Sequence, residues 1–528
     1  MWLNHNTVIG ATGRTIEARM RFLNPFTEIP APIPSRRMRP LVGILLLLAL
    51  LPRESKAIWP FDTDSAEQSE ASSTSEYPEI ATFLSEAIQI DTVDPPGNEE
   101  ALARMITQSL AVADIETEVI ETPGVGRAAA WARVPGTGTA RPIILLSHID
   151  VVPAEPAEWE HDPFGGKMTA GFVHGRGALD AKGVTAVHVF TLLALSKLDP
   201  PLDRDVILIA TPGEETGGVD GAGFIARQRP ELLRDAEFLL TEGGGIRPRR
   251  LPTSAAPMPP MWGITVTEKS PCWLELQTRG TPGHGSSPRP DAAVPRLIAA
   301  LDRVRRVESP VRVLPEVQQM FLALATSAPP EDRAGFLSLR AALSTDSDFS
   351  RRFLSRPGYN ALVRNTLSIT MLEGSASTNV VPGIARARLD VRLLPGERCE
   401  DFVRGLEGVI ADPSVSVETL LAFPSKSSPS STELFKAIQR VAIAQEPDAI
   451  VVPRMIGGFT DAHWFREQGI ISYGFVPRWL DEGDARGVHG ANERISIENL
   501  TRGVETSVEI LKQLGRPSES EKATALTP

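Results

Sequence analysis

The sequence predicts an α/β protein in which a smaller α+β domain is inserted into a discontinuous domain, itself a mixed sheet flanked by helices. Apolar strand-like runs alternate with helical patterns from about residue 78 to 245. After Glu268 the strands instead alternate apolar and polar residues. Near residue 425 the pattern of apolar strands alternating with helices returns. Apolar strands that alternate with helices favour a sheet covered on both faces, whereas strands of alternating polarity favour a sheet with one solvated face. The two patterns therefore indicate two domains.

Length and composition allow such a chain and exclude some partners. The 528 residues, 42% of them hydrophobic, suffice for two or more domains. A net charge of -12 argues against a nucleic-acid partner, which would need a basic face. Cys272 and Cys399 are too few for a disulfide framework, and the sequence leaves open whether they pair with each other.

The N-terminal segment predicts export. An 11-residue apolar run, "LVGILLLLALL" at 41–51, follows a basic stretch and is too short to span a bilayer comfortably, which takes about 20 residues. It has the length of a signal-peptide core, so we expect residues 1–57 to be a signal peptide or an uncleaved anchor, with the natural start at Met38. Residues 58–76 are acidic and Ser-rich and predict a disordered linker. The expected location is periplasmic or secreted, with membrane anchoring by 41–51 as the alternative.

The first part of the larger domain is predicted at residues 77–266. A helix is expected at 181–198, an apolar-rich segment that lies between the β-type runs. The β-type runs that precede and follow this helix are residues 116–120, 129–134, 143–147, 206–210 and 238–241.

The inserted domain is predicted at residues 267–423. Its segments "CWLELQTRG" and "IARARLDVRLL" alternate apolar and polar residues, which is typical of strands with one solvated face. Residues from about 315 to 362 are helical in pattern. The larger domain then resumes at 424–515, ends in a helix at 497–514, and is followed by a flexible tail at 516–528.

Acidic and imidazole side chains close the predicted strands of the larger domain. Buried strands gain nothing from such groups, but the carboxyl ends of parallel strands form the usual ligand crevice of an α/β sheet. The residues at these positions, with one late histidine, are His148, Asp150, Asp180, Glu214, Glu215, Glu242 and His489.

This set of side chains predicts a metal site. Two imidazoles with several carboxylates and no thiolate suit zinc, cobalt or manganese. The donors are too many for one tetrahedral ion and suit two ions that share a bridging carboxylate. Of the adjacent pair Glu214 and Glu215, one would bind metal while the other serves as general base. The alternative is that all are solvated loop acids.

Ten segments, several of which contain these residues, occur in the order that is typical of a known family. They are "PPGNEE" (95–100), "SHIDVVP" (147–153), "WEHDPFGG" (159–166), "GRGALDAKG" (175–183), "GEETGG" (213–218), "TEGGG" (241–245), "GTPGHGSSP" (280–288), "TNVVPG" (378–383), "GGFTDA" (457–462) and "VHGANERI" (488–495). With these the chain resembles the co-catalytic zinc metallopeptidase family of aminoacylase-1, acetylornithine deacetylase, succinyl-diaminopimelate desuccinylase and carboxypeptidase G2. The helical insert resembles carboxypeptidase S and the secreted N-fatty-acyl-amino-acid hydrolases.

The resemblance implies a ligand set for two zinc ions per subunit. His148 and Glu242 would hold one ion, and Glu215 and His489 the other. Asp180 would bridge them. Cobalt or manganese could substitute.

The resemblance also implies catalytic roles. Asp150 would hydrogen-bond His148 and fix its tautomer. Glu214 would be the general base for a metal-bridging hydroxide and later the proton donor. His284, in the inserted lid and dimerisation domain, would reach the active site of a partner subunit and stabilise the oxyanion. Asn379 would help hold the substrate.

One motif departs from the family pattern. Many relatives have an arginine where this chain has His463, and that arginine commonly meets the substrate carboxylate. Here Arg454, Arg466 or His463 could take its place. The glycines of "GGFTDA", including Gly458, would let backbone approach the substrate.

The expected function is therefore dinuclear zinc-dependent hydrolysis of amide bonds in short peptides or N-acyl amino acids, as in a carboxypeptidase or aminoacylase. A homodimer through the inserted domain is expected. A serine hydrolase is disfavoured because no Gly-x-Ser-x-Gly elbow lies near a suitable strand. The remaining alternative is an exported, non-catalytic binding protein on a peptidase fold.

Overall fold

The structure is a computed structural model, which describes residues 77–249, 258–481 and 483–514. The predicted export segment 1–57, the linker 58–76 and the tail 516–528 lie outside the described residues. Among the described helices, none combines the length and apolar character that crossing a bilayer requires.

Strands and helices alternate along most of the described chain. The strands are β1 (Glu116–Glu121), β2 (Ala128–Val134), β3 (Ile143–His148), β4 (Lys167–Thr169), β5 (Phe172–His174), β6 (Val206–Thr211), β7 (Phe238–Thr241), β8 (Gly245–Arg247), β9 (Met261–Glu268), β10 (Ser270–Arg279), β11 (Gly283–His284), β12 (Thr366–Glu373), β13 (Val380–Val381), β14 (Ile384–Leu393), β15 (Val415–Ala422), β16 (Ile450–Ile456), β17 (Ile471–Gly474) and β18 (Arg494–Ser496). The α-helices are α1 (Glu79–Gln89), α2 (Glu99–Ala111), α3 (Lys182–Leu195), α4 (Ala222–Gln228), α5 (Ala293–Val304), α6 (Pro315–Leu324), α7 (Pro330–Leu337), α8 (Leu339–Thr345), α9 (Ser347–Leu354), α10 (Pro357–Val363), α11 (Cys399–Ile410), α12 (Glu433–Gln445), α13 (Ala462–Glu467) and α14 (Ile497–Leu514).

A nine-stranded mixed sheet forms the centre of the larger domain. Its order is β1-β2-β6-β3-β7-β17-β9-β16, and β8 pairs with β9 beside this path. Strand β3 is parallel to both β6 and β7, whereas β1 and β2 join antiparallel. The carboxyl ends of β3, β6 and β7 therefore meet at one edge of the sheet.

Helices cover both faces of this sheet. Ile143 and Leu145 of β3 belong to a core shared with α1, α2, α3, α12 and α14. Ile144 and Leu146 belong to a second core with α4 and α13. Because side chains alternate across a strand, a continuous apolar run such as residues 143–146 of β3 is what a doubly covered sheet requires. The predicted fold class is confirmed.

The inserted domain has one solvated face. Its four strands run antiparallel in the order β12-β14-β10-β15. Leu274 and Leu276 of β10 are buried in a core with α5 and α11, while Glu275 between them is partly exposed. Cys272 and Cys399 form a disulfide that joins β10 to the start of α11. The structure thus pairs the two cysteines that the sequence left open.

The predicted helical insert forms α6 to α10 and covers an edge of the central sheet. Its core contains Phe321, Phe336 and Phe353, together with Met455 of β16. Helix α6 lies against β16, an end strand of the central sheet. An uncovered edge strand can pair with other chains, so this insert protects an edge of the central sheet although it lies within the inserted domain in sequence. The domain limits 77–266, 267–423 and 424–515 stay predictions.

Candidate active site

His148 and Asp150 lie together where β3 ends. Both side chains are buried. The His148 Nδ1 atom lies 3.0 Å from the backbone oxygen of Asp150 and 3.5 Å from its carboxylate. The other ring nitrogen, Nε2, therefore faces Asp180 at 3.0 Å and Glu242 at 3.4 Å. This arrangement orients the imidazole for a ligand on its Nε2 side.

Asp180 lies between the two histidines of the cluster. Its Oδ1 is 3.0 Å from Nε2 of His148, and its Oδ2 is 3.2 Å from Nε2 of His489. The same His489 nitrogen lies 3.1 Å from Oε1 of Glu215. Each oxygen of Asp180 thus faces a different imidazole, which is the position that a bridging carboxylate occupies.

The Glu214–Glu215 pair is held by Asp150. The backbone N–H groups of Glu214 and Glu215 donate to the two carboxylate oxygens of Asp150, at 3.1 and 3.0 Å. Glu214 is buried, and burial together with the nearby charge of Glu242 raises its pKa well above the usual range. Asp150 therefore orients His148 chiefly through its backbone oxygen, and it holds the turn with the two glutamates through its carboxylate.

The cluster has a shortage of positive charge. Burial and the charge of Asp180 raise the pKa of Glu242 to about 7. Hydrogen bonds to Asp180 and Glu215 raise the pKa of His489 to about 10. Burial alone would lower the pKa of His148, but the charge of Glu242 and hydrogen bonds to the surrounding carboxylates raise it well above its usual value. The negatively charged carboxylates of the cluster repel one another, and cations bound between them would relieve this repulsion.

The donor atoms fit two divalent cations. One set is His148, Asp180 and Glu242, and a second is Asp180, Glu215 and His489; within each, the ligand atoms lie within 4.8 Å of one another. The two sets share Asp180. Imidazole nitrogen and carboxylate oxygen without thiolate suit zinc-type ions, and the shared acid suits a pair of them.

Glu493 holds the loop that presents Asp180, and the sequence interpretation missed it. Its buried carboxylate accepts from the Arg176 guanidinium at 2.7 Å and from the backbone N–H groups of Gly177, Leu179 and Asp180 at 3.0, 2.6 and 3.0 Å. The segment that carries His489 therefore also fixes Asp180. The sequence signal that could have identified Glu493 is its position in the motif "VHGANERI", which also contains His489.

Asp461 is a second residue that the sequence interpretation missed. It is buried, accepts from the Thr211 hydroxyl at 2.7 Å, and has its pKa raised by burial to about 7. A Cβ at Gly218 would lie 2.0 Å from Asp461 Oδ1, so only glycine leaves room for this carboxylate. Both residues lie in quoted motifs, "GGFTDA" and "GEETGG".

The "PPGNEE" motif supports the glutamate turn from the other side. Arg127 makes ion pairs of 3.0 Å with both Asp94 and Glu99. Asp94 also accepts from the hydroxyl of Thr216, which follows the glutamate pair, at 2.7 Å. Asp94, the residue before the motif, therefore contacts the turn directly, and Glu99 within the motif holds Arg127, which also pairs with Asp94.

A cleft of about 480 Å³ opens beside the cluster. Asp180 and Glu242 form part of its lining, as do Arg454 and Gly458. The structure therefore brings both of these predicted substrate residues to the cleft.

The other two candidates for the substrate carboxylate are engaged elsewhere. His463 is buried, and its ring stacks on Phe423 with centroids 3.5 Å apart. Arg466 is buried in an ion pair of 2.8 Å with Glu268. Neither residue lines the cleft, which leaves Arg454 as the candidate of the three that does.

His284 and Asn379 lie together in the inserted domain. Strand β11, which contains His284, pairs with β13, and the N–H of Gly285 donates to the backbone oxygen of Asn379 at 2.7 Å. Both side chains are exposed. Within the described residues, no hydrogen bond or ion pair connects either one to the acidic cluster.

A metal-type ligand cluster at the carboxyl ends of parallel strands is the arrangement of a metal-dependent α/β hydrolase. The chain belongs to Peptidase family M20/M25/M40, whose model matches residues 144–513. The resemblance found in the motifs is confirmed, and the chain is a peptidase or amidohydrolase of that family.

Curated relatives agree with this assignment, and a solved structure shares the fold. N-fatty-acyl-amino acid synthase/hydrolase PM20D1 of Mus musculus is 31% identical over 382 residues, covering 70% of this chain and 74% of the relative. Aminoacylase-1 of Sus scrofa is 27% identical over 463 residues, covering 83% of this chain and 98% of the relative. An M20 family metallo-carboxypeptidase, Sso-CP2 of Sulfolobus solfataricus, has TM-score 0.62 at 19% identity, covering 83% of this chain and 99% of that one, which shows a shared fold.

Proposed function

We propose that the protein is an exported hydrolase that uses two zinc ions to cleave amide bonds in short peptides or N-acyl amino acids. The observation that carries the proposal is the pair of ligand sets that share Asp180. Cobalt or manganese would fit the same donors. Export into an oxidising compartment is supported by the Cys272–Cys399 disulfide, because such bonds persist there.

Residues of the chain itself would carry out the proton transfers. Two divalent cations bound in these ligand sets would polarise the scissile carbonyl and make the attacking water more acidic. Glu214, buried beside the cluster with a raised pKa, would take the proton of that water and pass it to the leaving amine. Asp150 would keep His148 in the tautomer that offers Nε2. The products are a carboxylate and a free amine.

His284 and Asn379 would act in a partner subunit's active site. They are exposed and lie on the neighbouring segments that β11 and β13 join, and they make no described contact with the cluster of their own chain. Strand β12 is an end strand of the inserted sheet and exposes Met371 and Leu372, which supports a homodimer that forms along this edge. In that dimer His284 would stabilise the oxyanion.

Arg454 would bind the carboxylate of the substrate. It lines the cleft beside Glu242, as do the apolar side chains of Ile456, Phe459 and Leu480. A guanidinium suits a planar carboxylate, and the apolar residues suit a hydrocarbon acyl group or side chain. The names of the relatives, N-fatty-acyl-amino acid synthase/hydrolase and aminoacylase, support N-acyl amino acids as substrates.

A screen of dipeptides and N-acyl amino acids tests this function. Purified protein is assayed for amine release with and without a chelator, and its metal content is measured in parallel. We expect chelator-sensitive turnover and about two zinc ions per chain. A stable, metal-free protein without turnover would instead support the non-catalytic binding protein.

A further inference from the structure

One leucine of the inserted domain reaches the glutamate turn, Glu214–Thr216. Leu421 lies near the end of β15, and a Cβ at Gly217 would lie 2.9 Å from its Cδ1 and 3.3 Å from its Cδ2. Gly217 ends the glutamate turn, and its N–H donates to the backbone oxygen of Glu214 at 2.8 Å. The methyl groups of Leu421 therefore pack against the residue that closes this turn.

A β-bulge directs Leu421 away from the core of its own domain. Val417 of β15 packs against that core, and simple alternation along the strand would point Leu421 the same way. The register of β15 on β10 shifts between Trp273 and Leu274, which leaves Leu420 as an extra residue and pairs Leu421 with Trp273. Because directly paired residues point to the same face, Leu421 shares the face of Trp273, opposite to the buried Leu274. Bulges beside active sites commonly re-aim a side chain in this way.

The face that contains Trp273 lies against the larger domain. The centroid of the Trp273 ring is 6.0 Å from that of Phe459, which lines the cleft. Phe423, two residues after Leu421, is buried, and its ring stacks on His463 of the larger domain. The end of β15 is therefore anchored to the larger domain directly beyond Leu421, and this anchor holds the leucine against the glutamate turn.

The larger domain holds the same turn through polar contacts. The carboxylate of Asp150 accepts from two of its backbone N–H groups, and the carboxylate of Asp94 accepts from the Thr216 hydroxyl. Leu421 adds an apolar contact from the inserted domain. Truncating this leucine would loosen the turn without removing any of these hydrogen bonds.

We propose that Leu421 is a positioning residue for Glu214, so that the inserted domain sets the geometry of the general base. The inference rests on the proposed function, which assigns that role to Glu214. A displacement of about 1 Å can cost a catalytic group most of its contribution to the rate, whereas ground-state binding of the substrate depends on other groups. The signature of positioning is therefore a fall in kcat at an unchanged KM.

Steady-state kinetics of the metal-loaded protein test the inference. Leu421→Ala should lower kcat by about 10- to 100-fold and leave KM near its unmodified value. Leu421→Met keeps most of the side-chain volume and should restore most of this loss. Leu420→Ala removes the same atoms from the exposed neighbour, so it is the matched control and should keep the unmodified kcat.

Two kinetic results would overturn the inference. One is an unchanged kcat in Leu421→Ala. The other is a loss confined to KM, because Leu421 would then contact the substrate and not position the base.

Amide hydrogen exchange separates this inference from the proposed function. Exchange is measured for peptides that span residues 213–217 in the unmodified protein and in both alanine variants. Faster exchange that is confined to this segment in Leu421→Ala, and is not seen in Leu420→Ala, supports the positioning contact even if no amide is hydrolysed. Exchange that is equal in all three proteins, or faster throughout the chain in Leu421→Ala, would refute the contact even if hydrolysis is found.

Discussion

Replacing Glu493 tests whether Asp180, the proposed bridging acid, is held in place by the segment that carries His489. In Glu493→Ala the guanidinium of Arg176 and the backbone N–H groups of three loop residues lose their shared acceptor. Arg176 is buried, so its charge would be left without a partner. The loop would then no longer present Asp180 at a fixed position between the two histidines.

The magnitude follows from these contacts. Breaking a buried ion pair by removing one partner costs about 3–5 kcal/mol, and we expect Glu493→Ala to lose this much stability. Glu493→Gln keeps an oxygen acceptor of the same shape but loses the charge, and its cost should be about 1.5–3 kcal/mol. Because a supporting residue typically contributes 10–100-fold to metal affinity, both variants should bind metal about 10–100-fold more weakly.

Two measurements check this prediction. Zinc affinity is determined by competition with a chelator, and stability by thermal unfolding of the metal-free protein. Glu505→Ala, an exposed glutamate in the middle of α14, is the matched control and should change neither. If Glu493→Ala binds zinc as tightly as the unmodified protein, the loop does not depend on this carboxylate and the reasoning is wrong.

Three further predictions address the base, a buried lysine and the disulfide. Glu214→Gln should retain both metals but lose about 10²–10⁴-fold in kcat, and undiminished turnover would remove the assigned base. Burial and the charge of Arg392 lower the pKa of Lys269 to about 7, so above that pH the unfolded chain binds a proton that the folded chain releases. The stability of the protein relative to Lys269→Met should therefore rise by about 1.4 kcal/mol per pH unit between about pH 8 and 9.5 in unfolding experiments, whereas a flat difference would contradict the shift. Replacing Cys272 and Cys399 by serine opens a loop of 127 residues and should cost about 2–4 kcal/mol in urea unfolding; unchanged stability would show that the bond contributes nothing.

Most of the central sheet could be predicted because its strands are apolar on both sides. The run 143–147 corresponds to Ile143–His148 and the run 238–241 to Phe238–Thr241. Acids and imidazoles at the ends of such strands are conspicuous, because a strand that is covered on both faces is stabilised by apolar side chains and not by ionisable ones. The proposed ligands were therefore identifiable before their distances were known.

The supporting contacts could not be predicted, because they join residues far apart in sequence. Glu493 and Arg176 are 317 residues apart, and neither has a local pattern that indicates the other. The position of Arg454 in the cleft depends on the register of β16 on β9. Similarly, the docking of α6 on β16 and the pairing of the cysteines depend on tertiary packing.

The metal content of the purified protein and two of its variants tests the central claim most directly. Elemental mass analysis after dialysis should give about two zinc ions per chain, and His489→Ala should retain about one, since the set that contains His148 stays intact. Asp180→Ala, which removes the shared ligand, should retain neither ion firmly. An unmodified protein that binds no metal, or variants that both keep two ions per chain, would contradict the account.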